Sequence, residues 1–240
     1  MRHAQKRQMH KLYSSDTPRS APTATRNTRV TTDAIRYSLW KRLAVILFVP
    51  ILRLFLSFFF AKQYLRGKYF DQRLLGWKWA IRSFWTQKVL GINRRTPWPV
   101  SSRCSVSTSS RIVFHPDDIN NFQAFGCYFQ CDAATIHIGR GSYIAPNVGI
   151  ITANHDLNDL KSHQPGKDVV IGDNCWIGMN SVVLPGVTLG PHTVVGAGAI
   201  VTKSFPAGNC VIAGNPARLV RSIANGQQAT LQPQKKLATH

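Results

Sequence analysis

Moving a proton at neutral pH is work suited to histidine, whose unperturbed pKa of about 6.5 leaves the ring largely neutral and able to accept. The chain has 240 residues and eight histidines. His3, His10 and His240 lie in polar tails, His192 follows Pro191 at a solvent-facing turn, and His115 and His163 read as exposed loop residues. His137 stands in a short apolar run, where a satisfied strand histidine is the expectation and a place facing a cleft the alternative. His155 is placed differently. It lies in the sequence ANHD, at the head of a polar stretch containing Pro165 and Gly166. Asp156, next to it, could orient the imidazole or simply begin the loop.

What must position these residues is a sixfold repeat. From Ile171 to Pro206 an aliphatic residue returns every six positions: Ile171, Ile177, Val183, Leu189, Val195 and Val201. Glycine follows four of these openers, and compact residues (Cys175, Ser181, Val187, Thr193, Ala199) stand four places after an opener. A period of six fits neither the 3.6 of a helix nor the alternation of an ordinary strand. It predicts a parallel β-helix. Earlier hexads open at Ile138, Ile144 and Ile150, enough for one triangular coil. From Ile150 to Ile171 the spacing is 21, which six does not divide, so a loop must leave the solenoid there. Loops held by a rigid scaffold are where function concentrates. This one starts directly after Asn154, His155 and Asp156.

The N-terminal part has another character. Residues 1–100 carry 20 Lys and Arg against 3 Asp, a net +17, whereas residues 101–240 carry a net +3. Residues 1–32 are too polar to bury a core and are expected to be disordered. Leu43–Ala61 is nearly continuously apolar and of membrane-span length, but holds Pro50 and Arg53 near its middle, with cations flanking both ends. The stretch after it mixes cations with Trp, Phe, Tyr and Leu, as an interfacial helix does. The expectation over 33–95 is a membrane-associated helical region, with contact through residues 41–90 at the inner face of the cytoplasmic membrane. The alternatives are a true span and a helix packed on the solenoid. The interleaving of cations with aromatics weighs against nucleic acid. Five cysteines without a C-x-x-C pair suggest reduced structural thiols in a cytoplasmic protein. After Pro206, a last partial coil and a capping helix are expected, and residues 224–240 read as a disordered tail.

The hexads, the loop after ANHD, and the segments CWIGMNSVVLPGV, VVGAGAIVTKSFP and AGNPARLVR together resemble the hexapeptide-repeat acyltransferases, in particular the branch that O-acetylates sugars and polysaccharides. The resemblance covers residues 97–223. It implies a mainly β chain with a left-handed parallel β-helix, an exception to the usual crossover hand. It also implies a homotrimer with acetyl-CoA in clefts between subunits, a saccharide acceptor and no metal. His155 matches the family's catalytic histidine, with Asp156 beside it. Trp176, Gly178, Met179, Gly196, Ala197 and Gly198 match positions lining the pantetheine groove. Thr202, Lys203, Arg218 and Arg221 match residues near the phosphates, where lysine supplies a point charge and arginine a bidentate fork.

One departure is visible. Relatives that acetylate small sugars carry an asparagine upstream to hold the acceptor, whereas Cys127 or Gln130 stands at its counterpart in FGCYFQCD, which argues against a simple small-sugar acceptor. Within the same fold, an N-acyltransferase acting on an amino sugar or amino acid stays open. A zinc-dependent β-helix of the carbonic anhydrase type would need three converging ligands, and only His137 and His155 are candidates for proximity. A non-catalytic scaffold is the remaining alternative, against which the histidine and the phosphate-site cations argue.

Overall fold

The computed structural model describes residues 47–223. The segments expected to be disordered, 1–32 and 224–240, lie outside these residues, as do residues 33–46 of the expected helical region.

The sixfold pattern becomes three parallel sheets wound around one core. Sheet A stacks β1 (Ser105–Val106), β3 (Tyr128–Gln130), β6 (Gly149–Ile151), β9 (Val182–Val183) and β12 (Ile200–Val201). Sheet B stacks β2 (Ile112–Phe114), β4 (Ile136–Ile138), β7 (Val169–Ile171) and β10 (Thr188–Leu189). Sheet C stacks β5 (Tyr143–Ile144), β8 (Trp176–Ile177), β11 (Thr193–Val195), β13 (Cys210–Ala213) and β14 (Arg218–Ser222). The hexad openers occupy equivalent inward positions: Ile144 pairs with Ile177, and Ile177 with Val195. All six openers from Ile171 to Val201 are at most 1% exposed. Burying each such side chain contributes about 1.5–3 kcal/mol. The compact residues between them, Cys175, Ser181, Val187, Thr193 and Ala199, fill the corners and are equally buried. Gly178 shows why glycine recurs, since a Cβ there would sit 2.6 Å from the Val195 carbonyl of the next coil.

The solenoid starts earlier than its first clear hexad, at β1. Its first turn lacks a C strand, and Pro116–Phe122 forms a 3-10 segment there instead. Asn121 in that segment replaces the missing strand with its amide. Nδ2 donates to the Ser142 carbonyl at 2.9 Å, and Oδ1 accepts from the Ile144 N–H at 3.0 Å. Asn93 terminates sheet A in the same way, donating to the Cys104 carbonyl at 2.7 Å and accepting from the Val106 N–H at 3.1 Å. Two open sheet edges are thus closed by side-chain amides. At the other end the chain closes without the expected helix. After Pro216 it turns back as β14, antiparallel to β13, because the edge of β13 offers backbone partners to Arg218–Ser222.

The helical residues share the solenoid's core. Residues 47–56 are helical and are called α1, and Leu75–Ser83 form α2, which continues through wider π-type turns to Val89. Leu56, Phe60, Leu65, Phe70 and Trp77 join one buried cluster with Trp98, Ile112, Phe122 and Phe129. Gln87, fully buried, ties this region to the linker: Nε2 donates to the Trp98 carbonyl at 3.2 Å and Oε1 accepts from the Val100 N–H at 2.9 Å. The alternative of helices packed on the solenoid therefore describes the inward side of residues 48–90. Among the described residues no helix is long and apolar enough to cross a membrane. Inward packing explains the apolarity of Leu52, Leu56 and Phe60, but not that of the residues between them.

Candidate active site

His155 is carried by the loop between β6 and β7, where the chain leaves the corner joining sheets A and B. The loop is itself hairpin-like. The Asp156 N–H donates to the Ser162 carbonyl at 3.0 Å, the Gln164 N–H donates to the Asn154 carbonyl at 2.9 Å, and His155 pairs across with His163. At its tip the Asp156 carboxylate accepts from the Asn158 N–H at 2.8 Å, and the Asp159 carboxylate from the Lys161 N–H at 3.0 Å. Short polar side chains hold turns in this way. The carboxylate of Asp156 is thus engaged by its own loop.

The imidazole of His155 is exposed, with Nδ1 2.8 Å from the Leu160 carbonyl. A carbonyl can only accept, so Nδ1 carries the hydrogen and the neutral ring presents an unprotonated Nε2. That is the tautomer a general base requires. The His163 ring stacks on it, with centroids 4.3 Å apart and planes inclined by 35°. His163 is an exposed loop residue, as its surroundings in the sequence suggest. Its contact with His155 has no counterpart in the hexad pattern, since it arises from pairing within the loop. His137 lies on sheet B instead, 3.9 Å from the Asp168 carboxylate. Among the described residues no three His, Cys, Asp or Glu side chains converge as a metal site would require.

Gln130 anchors the root of the loop. Its Oε1 accepts from the Thr152 N–H at 2.9 Å and the Ala153 N–H at 3.2 Å, one coil above. The Thr152 hydroxyl adds a bond to the Gln130 carbonyl at 3.0 Å. Of the two counterparts of the acceptor-holding asparagine, Gln130 thus faces the loop backbone, and Cys127 is buried with its thiol donating to the Ala145 carbonyl at 3.3 Å.

The residues matched to coenzyme A fall at several places. Thr202 and Lys203 follow β12, at the same corner as His155. Gly178, Met179 and Ala197 lie at the next corner, between sheets C and A, with Gly198 N–H donating to the Met179 carbonyl at 2.8 Å. Gly198 has φ +72°, and nothing lies within 4 Å of where its Cβ would be. Trp176 projects from sheet C, 57% exposed, in register with Tyr143 and Val194. Arg218 and Arg221 are exposed on β14. Among the described residues, Lys203, Arg218 and Arg221 form no ion pair with a carboxylate. One hexad of strand and turn separates the two corners, about 20 Å at roughly 3.3 Å per residue. Within one chain His155 and the pair Met179 and Ala197 thus occupy different corners, with Trp176 on sheet C, and among the described residues no hydrogen bond links His155 to any of the three.

Three sheets wound on a sixfold repeat thus carry a histidine-bearing loop at the break between Ile150 and Ile171. Residues 168–203 match the bacterial transferase hexapeptide family (six repeats), so the repeat that the resemblance rested on is present in this chain. A putative acetyltransferase of Schizosaccharomyces pombe is 44% identical over 108 residues, covering 43% of this chain and 51% of the relative. The galactoside O-acetyltransferase of Escherichia coli is 41% identical over 99 residues, covering 38% and 46%. The chain spans about half the length of the curated relatives it matches. Among solved structures, a maltose O-acetyltransferase from Clostridium difficile is 42% identical, covers 41% of this chain and 53% of its own, and superposes with a TM-score of 0.38. A galactoside acetyltransferase in complex with coenzyme A is 25% identical, covers 80% and 90%, and superposes with a TM-score of 0.43.

Proposed function

We propose that the chain is an acetyl-CoA-dependent O-acetyltransferase acting on a hydroxyl of a saccharide or polysaccharide precursor, with His155 as general base. The observation that carries this reading is the hydrogen bond from Nδ1 to the Leu160 carbonyl, which leaves Nε2 free in the loop that breaks the repeat between Ile150 and Ile171. Nε2 takes the proton of the acceptor hydroxyl as its oxygen attacks the thioester carbonyl. Collapse of the tetrahedral intermediate breaks the carbon–sulfur bond, and the departing thiolate takes the proton from the imidazolium. Correct placement of the two substrates supplies much of the acceleration in such a transfer.

The donor set suits coenzyme A. Trp176 offers an exposed aromatic face, Gly198 leaves room for close backbone approach, and Lys203, Arg218 and Arg221 are cations without carboxylate partners among the described residues. Because one chain holds His155 and the groove residues at different corners, the reading includes a homotrimer of left-handed solenoids in which the loop of one copy meets the Met179–Ala197 corner of the next. The exposed Leu157 and Leu160 at the loop tip favour such a contact, at 86% and 70% exposure. Gln130 turns its side chain to the loop, which favours an acceptor larger than a small sugar, held by contacts beyond this coil. Residues 48–90 would hold such an enzyme at the cytoplasmic face of a membrane, where lipid-linked saccharides are presented.

The test is release of free thiol from acetyl-CoA with a panel of saccharides and lipid-linked oligosaccharides, comparing the wild type with His155→Ala. Loss of general-base catalysis lowers kcat by about 10²–10⁴-fold. No release with any acceptor, or release that survives the substitution, would sink the proposal.

A further inference from the structure

The outward side of the helical region is apolar where a solvated helix is polar. On α1, Leu56 and Phe60 just after it point into the core, each 1% exposed. The opposite side presents Phe48, Ile51, Leu54 and Phe55, with Phe58 following, at 58%, 67%, 64%, 47% and 78% exposure. A helix that is apolar all round is normally covered all round. The patch continues beyond α1. Phe55 and Phe59 lie 5.5 and 4.8 Å from the Phe84 ring, which in turn lies 5.8 Å from Trp85, itself 60% exposed. Scattered surface apolar residues need no explanation, but a contiguous patch of this kind marks a contact.

Cations beside the patch indicate the nature of that contact. A cleft of about 300 Å³ beside α1 is lined by the apolar Val49, Pro50 and Leu54 together with the cations Arg53, Lys62 and Arg66. Arg53 is paired with Asp71 and lies over the Trp77 ring, whereas Lys62 and Arg66 are exposed and form no ion pair among the described residues. Asp71 is the only acid between residues 47 and 100, and the sequence preceding α1 adds ten more Lys and Arg. An apolar and aromatic face flanked by unneutralised cations is complementary to a surface with phosphate headgroups over acyl chains.

We infer that this face lies on a leaflet containing anionic phospholipid, with Phe48, Ile51, Phe55, Phe58 and Trp85 in the acyl boundary and Lys62 and Arg66 against headgroup phosphates. Residues 48–90 lie on the surface and do not span it. Among the described residues no helix is long and apolar enough to cross a membrane. The chain then returns to the solenoid, where the Ala61 N–H donates to the Pro97 carbonyl at 2.8 Å. This inference shares with the proposed function only the membrane location, and vesicle binding is read without turnover.

The test is sedimentation of the full chain with vesicles of phosphatidylcholine alone or with roughly a third phosphatidylglycerol. Acetyl-CoA thiol release is followed in solution on the same preparations, so a failure of either proposal is visible separately. Binding to the anionic vesicles should exceed binding to the neutral ones by at least about tenfold. Phe48→Asp with Phe58→Asp should lower it by a similar factor, with the melting temperature unchanged, since both side chains are exposed at 58% and 78% and lie outside the core. Lys62→Glu with Arg66→Glu should weaken the preference for anionic lipid by about tenfold or more, although the ten cations before α1 remain. Absence of wild-type binding overturns the inference. So does binding that both double variants retain and that competing RNA abolishes, because the basic residues before α1 would then carry it. A drop in oligomer size in the phenylalanine variant, without vesicle binding by the wild type, would assign the face to a second copy of the chain and overturn it equally.

Discussion

Replacing Gln130 by leucine removes the acceptor that fixes the root of the His155 loop while nearly keeping side-chain volume. The Thr152 N–H and hydroxyl each lose one of two acceptors, since both also donate to the Gln130 carbonyl, at 3.1 and 3.0 Å. The Ala153 N–H loses its acceptor in a position only 7% exposed. An orphaned buried N–H costs about 1–3 kcal/mol. If the cost is borne by the loop, local opening becomes about 5–150 times more frequent. The amides of Asp156 and Gln164, which close the hairpin on either side of His155, should then exchange with deuterium faster by a factor in that range. Under the proposed function, acetyl transfer should fall by about 10–100-fold in kcat, because displacement of a catalytic group by about 1 Å would have that effect. The KM for acetyl-CoA should change little, since none of the matched groove residues touches Gln130. Gln130→Glu retains an acceptor oxygen and should restore both protection and rate. Unchanged exchange at Asp156 and Gln164 in Gln130→Leu would refute the anchoring role whatever the activity shows.

Three further outcomes follow from the fold. Asn121→Ala orphans the Ser142 carbonyl and the Ile144 N–H at the end of sheet C, and should destabilise the chain by about 2–6 kcal/mol at roughly 1–3 per group, read by denaturant unfolding. Burial pushes the carboxyl of Asp118 above its ordinary range, against the opposing hydrogen bond from Gly141 N–H and the charge of His115. Its stabilising contribution is therefore fully present below the unfolded value near 3.9 and is lost as pH rises through the raised folded value. The melting temperature of Asp118→Asn relative to wild type should accordingly climb between acid and neutral pH, and a flat difference would contradict the burial effect. All five cysteines are buried, and burial raises the thiol pKa of Cys104, Cys127, Cys131 and Cys175. A thiol reagent should thus titrate five groups after denaturation and close to none before.

The repeat was legible because each opener performs the same task, filling the same inward position coil after coil, so its period survives in the sequence. The break between Ile150 and Ile171 was legible for the same reason, as arithmetic that fails. What happens inside that break follows no period. The His155–His163 stack and the Leu160 carbonyl that selects the His155 tautomer come from pairing within one short hairpin, which polar loop composition does not encode. Gln130 and Asn121 were opaque for another reason. Their amides imitate backbone, and nothing in an isolated glutamine or asparagine says which peptide groups it will meet. The helical region shows the reverse limit. Its apolarity is the sum of two demands, an inward one met by Leu56, Phe60 and Phe70 and an outward one at Phe48, Ile51 and Phe58 that the solenoid does not meet. A composition reading sees their total and cannot separate a packed helix from an interfacial one. Only the direction of each side chain divides them, and here the division falls along a single helix.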